Sequence, residues 1–205
     1  MSFSYITIPD FLSVLSSDSP TPGGGGASAL VGSIGISLGL MVGALTKKNP
    51  RYSKVEPEIL LLMEQADRIQ QKLSACIDAD AAAFEPLSHA YQLPKDSPDR
   101  DAIMESCLKK AATVPLDILH LCAEAIELEK SFSEIGSRMA VSDAATGIVF
   151  CMAALEGAAV NVRVNTKYMK DRAYAEKINA EVENIRNECR KTADLVFSSI
   201  YEDLV

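Results

Sequence analysis

The sequence predicts an all-α fold, a single-domain bundle of about seven to nine helices. Three observations predict it. No stretch alternates convincingly between apolar and polar residues at period two, whereas apolar residues recur every three to four positions along most of the chain. Proline and glycine fall between these periodic segments as punctuation. Two apolar segments, residues 27–45, without a charge, and 144–160, belong at the centre of a bundle.

The elements follow in order. A short helix is expected from Pro9 to Ser16, then a turn from Asp18 through Gly26. Residues 27–45 carry no charge over nineteen positions, long enough to be weighed as a membrane span flanked by Lys47 and Lys48. Their Gly and Ser content lowers the hydropathy and no aromatic belt brackets them, so a buried central helix is the expectation. Gly35, Gly39 and Gly43 give that helix a bare face for close approach of another helix, within the subunit or across a dimer axis. Asn49-Pro50 ends it. A long helix starts near Lys54, with Pro57 acceptable in its first turn, and ends at Leu93-Pro94. Its apolar stripe runs Ile59, Met63, Ala66, Ile69, Leu73, Cys76 and Ile77, Phe84, Leu87. Ser97-Pro98 opens the next helix, where Pro115 is expected to kink or split it and Gly136 to close it. Ser142-Asp143 caps the second apolar helix, and a last amphipathic helix spans Asp171 to Tyr201.

Composition narrows the function. With 205 residues and 48% hydrophobic content the chain can bury a core without staples. A net charge of −8 argues against general nucleic-acid binding, which needs Lys and Arg to displace counterions. The five cysteines are odd in number and form no Cys-x-x-Cys, as expected of a reduced, cytoplasmic protein without a leader. Two histidines nearly exclude a His-based metal site.

Four places have the residue types for chemistry. In Pro20-Thr-Pro22-Gly23-Gly24-Gly25-Gly26 the glycines let backbone N–H groups approach a ligand at a helix N-terminus, or simply make a tight turn before a packed helix. Asp80 continues the long helix's apolar stripe. A carboxylate there needs a partner: a helix end, or a substrate for which it is acid or base. Asp78 falls on another face and is expected to be solvated. Ser142 and Asp143 suit a helix start. Asn161 and Asn165 share one helical face and offer donors and acceptors to a heterocycle, or to neighbouring helix ends. Lys47, Lys48 and Arg51 form a small basic cluster, either a solvated flank or a grip for an anionic tail.

In sequence order the chain carries Ser19-Pro-Thr-Pro-Gly-Gly-Gly-Gly26, Met41-Val, Leu45-Thr46, Tyr52 before Val55-Glu56, and Asp80-x-x-x-Phe84. Ala90-Tyr-Gln-Leu-Pro-Lys95, Val114-Pro-Leu116, Ser142-Asp143 and Asn161-Val-Arg-Val-Asn165 follow. This series resembles the cyclodeaminase/cyclohydrolase family of folate enzymes over nearly the whole chain. It departs from the family pattern at Lys48-Asn49-Pro50-Arg51 and at Gly136-Ser137.

The resemblance implies an all-helical cytoplasmic homodimer. It implies a folate substrate, with or without a polyglutamate tail, bound near the subunit contact, and no metal, cofactor, nucleic acid or membrane. The implied reaction is hydrolysis of 5,10-methenyltetrahydrofolate to 10-formyltetrahydrofolate; the alternative is cyclodeamination of the formimino compound with release of ammonia. A non-catalytic helical interaction dimer is a rival from another class. In the enzyme reading Asp80 and Asp143 are the catalytic carboxylates, Ser142, Asn161 and Asn165 hydrogen-bond pterin or water, Pro22 and Gly23–Gly26 admit the ligand, and Lys47, Lys48 and Arg51 hold the tail.

Overall fold

The computed structural model describes residues 2–203. Among them are six α-helices, α1 (Ile8–Leu15), α2 (Gly24–Lys47), α3 (Glu56–Tyr91), α4 (Arg100–Ile135), α5 (Val141–Thr166) and α6 (Arg172–Glu202), with 3-10 turns at Phe3–Tyr5, Pro50–Tyr52 and Arg138–Ala140. The all-α expectation holds, with no strand among the described residues.

α2 to α5 form an up-down-up-down bundle. Gly25 lies against Asp80 and Gly43 against Met63, so α3 returns antiparallel to α2. Gly24 lies against Asn161 and Gly35 against Cys151, so α5 is antiparallel as well. Cys122 meets Gly32 and Phe132 meets Gly43, which runs α4 parallel to α2 across the bundle. α6 covers α4 and α5, held by Arg186 and Arg190 on Glu156 and by Arg163 on Glu183.

The glycine face of α2 is used inside the subunit. A Cβ on Gly35 would stand 2.6 Å from Cys151 Sγ and 3.0 Å from the Cys151 amide nitrogen and the Gly147 carbonyl oxygen. Only a bare backbone lets α2 and α5 approach that closely. About half of each apolar helix is buried. Ile34, Met41 and Leu45 of α2 and Val149, Phe150, Val160 and Val164 of α5 stay exposed. Both helices are long and apolar enough to cross a membrane.

Several local expectations are corrected. The helix count is six because Pro115 does not split α4, which runs unbroken from Arg100 to Ile135. Its missing N–H leaves the Ala111 carbonyl without the usual i+4 donor, and Asn165 Nδ2 of α5 donates to that oxygen at 3.2 Å. α2 begins at Gly24 with Gly23 as N-cap, so three of the four glycines belong to the helix's first turn and not to the loop. Ala140, with no side-chain cap, precedes α5, so Ser142 and Asp143 lie in its first turn without capping it. Asp78 is not free in solvent: it accepts hydrogen bonds from Ser2 Oγ, the Phe3 amide and Ser4 Oγ, and so ties down the N-terminal turn.

Candidate active site

The first turn of α2 exposes three amides that no helical carbonyl can satisfy. Asp80, projecting from α3, supplies the missing acceptor: the Gly26 N–H donates to its Oδ2 at 2.9 Å. The fit depends on Gly25, where an added Cβ would lie 2.2 Å from Asp80 Oδ1. On the other side, a Cβ on Gly24 would approach Asn161 Nδ2 to 3.0 Å. Pro22 is buried beside them, and its ring packs against Gly26. The glycine elbow, Asp80 and Asn161 are therefore one constellation drawn from three elements.

Electrostatics at Asp80 are divided. Burial pushes its pKa up from the ordinary aspartate value, while the Gly26 amide pulls it down; burial prevails. The positive end of α2 faces the same carboxylate. A half-buried carboxylate with a raised proton affinity, held at a helix N-terminus, is a candidate to accept and return a proton. The helix-end partner weighed from the sequence is present, and it also orients the group.

The two asparagines differ. Asn161 Nδ2 donates to Gly157 O at 2.8 Å and stays partly accessible. Asn165 is buried, and its Nδ2 is shared between Ala111 O at 3.2 Å and Asn161 O at 2.9 Å. Its amide donor group is engaged in helix packing.

Lys47, Lys48, Arg51, Ser142 and Asp143 lie elsewhere. From Gly26 to Lys47 is twenty-one residues of α2, roughly 30 Å at 1.5 Å per residue. Asn161 to Asp143 is eighteen residues of α5, roughly 27 Å. These residues gather at the opposite end of the bundle, where the Ser137 amide donates to Thr46 Oγ1 at 2.8 Å and the Arg138 amide to Tyr52 Oη at 3.0 Å. Lys47, Lys48 and Arg51 are exposed and make no ion pair among the described residues. The expectation of one site holding both Asp80 and Asp143 thus fails within a single subunit, because antiparallel packing sends the two ends of α2 and α5 to opposite poles.

Sequence reasoning passed over two buried polar residues, one at the elbow and one in the middle of the bundle. Ser28 bonds Gly24 O at 2.7 Å and fills the space left by Gly157, which stiffens the elbow. Glu129 is fully buried in the middle of the bundle, with Oε1 accepting the Gly39 N–H at 2.9 Å and Oε2 unpartnered. It lies on the stripe Cys122, Ala125, Ile126, Phe132, so the helical-spacing test that singled out Asp80 identifies it too. No group of three or more His, Cys, Asp or Glu side chains among the described residues is arranged to hold a metal ion.

Comparison with known proteins adds an independent line. The family described as Formiminotransferase-cyclodeaminase matches residues 7–184. A methenyltetrahydrofolate cyclohydrolase of Methylorubrum extorquens is 35% identical over 198 residues, covering 95% of each chain. A formimidoyltransferase-cyclodeaminase of Rattus norvegicus is 26% identical over 194 residues, and the match spans 93% of this chain and 36% of that longer protein. The crystal structure of a formiminotetrahydrofolate cyclodeaminase from Thermotoga maritima superposes with a TM-score of 0.84 at 26% identity, covering 96% of this chain and 98% of that one. Near-complete coverage by both sequence and architecture leaves one conclusion: the chain belongs to the formiminotransferase-cyclodeaminase family.

Proposed function

We propose that this chain hydrolyses 5,10-methenyltetrahydrofolate to 10-formyltetrahydrofolate. The observation that carries the reading is the Asp80 carboxylate, half-buried on the Gly26 amide beside Asn161. The similarity to a methenyltetrahydrofolate cyclohydrolase along the full length supports the choice of reaction.

In this reading the substrate's amidinium carbon sits over the elbow. Asp80 takes a proton from the attacking water as the oxygen bonds to that carbon, giving a neutral tetrahedral adduct. The bond from carbon to N5 then breaks as the adduct's hydroxyl gives up its proton to become the formyl C=O, N5 gains a proton, the formyl group remains on N10, and Asp80 releases the proton it took from water. One proton is released overall. Asp80 in its ionised form also stabilises the cationic ring before attack. Asn161 and the elbow amides orient the water and the ring.

The pole bearing Lys47, Lys48, Arg51, Ser142 and Asp143 enters through a homodimer. A twofold axis across the exposed apolar face of α2 and α5, perpendicular to the helices, brings the elbow of one subunit to the basic pole of its partner. The three cations then hold the glutamate tail, single or multiple, with Ser142 and Asp143 at the rim. The protein works in the cytoplasm and needs no cofactor. A second reading, cyclodeamination of formiminotetrahydrofolate, is favoured by the family's description and by the Thermotoga maritima structure.

One absorbance experiment tests both. Methenyl-folate absorbs in the near ultraviolet. Loss of that band on adding protein supports the hydrolase, and its appearance from the formimino compound with ammonia release supports the deaminase. No change in either direction refutes both.

A further inference from the structure

Asp78 and Asp80 stand two residues apart on α3, on different faces of one turn. Each holds one end of the same segment. Asp78 Oδ2 accepts from Ser2 Oγ at 2.7 Å and from Ser4 Oγ, while its Oδ1 accepts the Phe3 amide. Asp80 Oδ2 accepts the Gly26 amide at 2.9 Å. Among the described residues, every hydrogen bond from residues 2–26 to a part of the chain beyond α2 ends on one of these two carboxylates.

Little else fixes the stretch between the two anchors. In α1 Phe11 is buried, but Ile8 and Leu12 stay exposed. Residues 16–20 are exposed, and their hydrogen bonds stay within residues 12–21. Both ends nevertheless return to the same part of α3, where Ser2 and Phe3 line one groove together with Ser19, Pro20 and Thr21. A second point of closure removes much of the freedom of such a segment. Three donors on one carboxylate make a strong anchor. Burial raises the Asp78 pKa, and the hydroxyls of Ser4 and Ser2 with the Phe3 amide more than reverse that, leaving it below the ordinary aspartate value.

The elbow tolerates little displacement. The Gly25 backbone passes so near Asp80 that an added Cβ would lie 2.2 Å from Oδ1, and a Cβ on Gly26 would lie 3.4 Å from Pro22 Cβ. A shift of about an ångström in the incoming chain takes the Gly26 amide out of hydrogen-bond range of Asp80.

We propose that Asp78 is a positioning residue for the Asp80 site: by clamping residues 2–4 it closes the N-terminal segment onto α3 and fixes the approach of Pro22–Gly26 to the Asp80 carboxylate. The inference rests on the folate reading above and deepens it by naming what holds that site in register.

The test compares Asp78→Ala, which removes charge and clamp, with Asp78→Asn, which removes the charge alone. The amide of Asp78→Asn can still accept from Phe3 and donate to a serine hydroxyl. A thermal melt of each variant checks the fold. Asp78→Ala is expected to lower kcat/KM for methenyltetrahydrofolate about tenfold, the scale of a small misplacement of reacting groups. The pH profile distinguishes positioning from a general loss of stability. At Asp80 burial raises the pKa and the Gly26 amide alone lowers it. Losing that amide therefore moves the acid limb of kcat/KM to higher pH in Asp78→Ala, by about one unit, the scale of one hydrogen bond to a charged oxygen. Asp78→Asn should retain most of the wild-type rate and the wild-type limb. Ser2→Ala with Ser4→Ala should shift the limb the same way as Asp78→Ala and add nothing to it in combination.

An unmoved limb in Asp78→Ala overturns the proposal, and so does an equal shift in Asp78→Asn, which would assign the effect to charge. If the wild-type protein turns over neither folate, the reaction reading fails separately. The clamp is then judged by hydrogen exchange of residues 22–27: faster exchange in Asp78→Ala but not in Asp78→Asn supports it, and equal exchange in all three proteins refutes it.

Discussion

Asp80 and Glu129 are both carboxylates on apolar helical stripes, and their partners give them different behaviour. Asp80 keeps some access to solvent and meets a helix N-terminus. Asp80→Asn should leave the fold intact, since an amide oxygen can still accept from Gly26, while turnover of methenyl-folate falls about a hundredfold or more. Near-normal turnover would remove Asp80 from the chemistry. Glu129 has no such access. Burial pushes its pKa up from 4.5 to about 9, against the Gly39 amide, which lowers it. A raised folded-state value means that the stability tied to this group is complete below pH 4.5 and is lost as pH rises toward 9. Glu129→Gln removes the titration. Its stability advantage over wild type in denaturant melts should therefore grow from pH 5 to pH 9, by at most about 1.4 kcal/mol per pH unit. A difference that stays constant with pH would show that Glu129 is not protonated in the fold.

At the scale of elements, the junction of α4 and α5 is set by what Pro115 removes. The Ala111 carbonyl loses its helical donor, and Asn165 replaces it from the neighbouring helix. Leaving that carbonyl unpaired costs about 1–3 kcal/mol. Asn165→Leu should destabilise the protein by about that amount in the wild-type background. The cost should shrink in Pro115→Ala, where residue 115 regains an amide to offer Ala111. A double-mutant cycle of unfolding free energies measures the coupling. Turnover in the same four proteins separates packing from ligand contact, because a role at the substrate would persist in the Pro115→Ala background.

At the scale of the molecule, the two poles stand roughly 30 Å apart along α2. Between them lies the exposed apolar face of Ile34, Met41, Leu45, Val149, Phe150, Val160 and Val164. If a twofold dimer joins elbow to basic pole, the two halves of the site come from different subunits. Asp80→Asn subunits and subunits carrying Lys47→Ala, Lys48→Ala and Arg51→Ala should each be weak alone. Unfolded and refolded together in equal amounts, they should recover about a quarter of wild-type turnover, because half the dimers are hybrids and each hybrid has one intact site. No recovery, with hybrids shown to form, would place both halves in one subunit.

Helix periodicity determined most of the architecture from the sequence alone. The segments read from the sequence as 9–16, 27–45, 54–93, 98–136, 144–160 and 171–201 all appear as helices, with ends shifted by a few residues and no split at Pro115, because burial of an apolar stripe at 3.6-residue spacing is a local property of the chain. The suspicion of Asp80 was legible for the same reason, as was the family resemblance carried by the ordered motifs. The partner of each polar group was not legible. Asp78 looked solvated until the N-terminal turn folded onto it, and Pro115 looked disruptive until Asn165 met the carbonyl it orphaned. Nor does the sequence say that Asp143 and the lysines are a full helix length from Asp80. That separation follows from the antiparallel packing of α2 with α5, and only tertiary contact decides which ends of two helices meet.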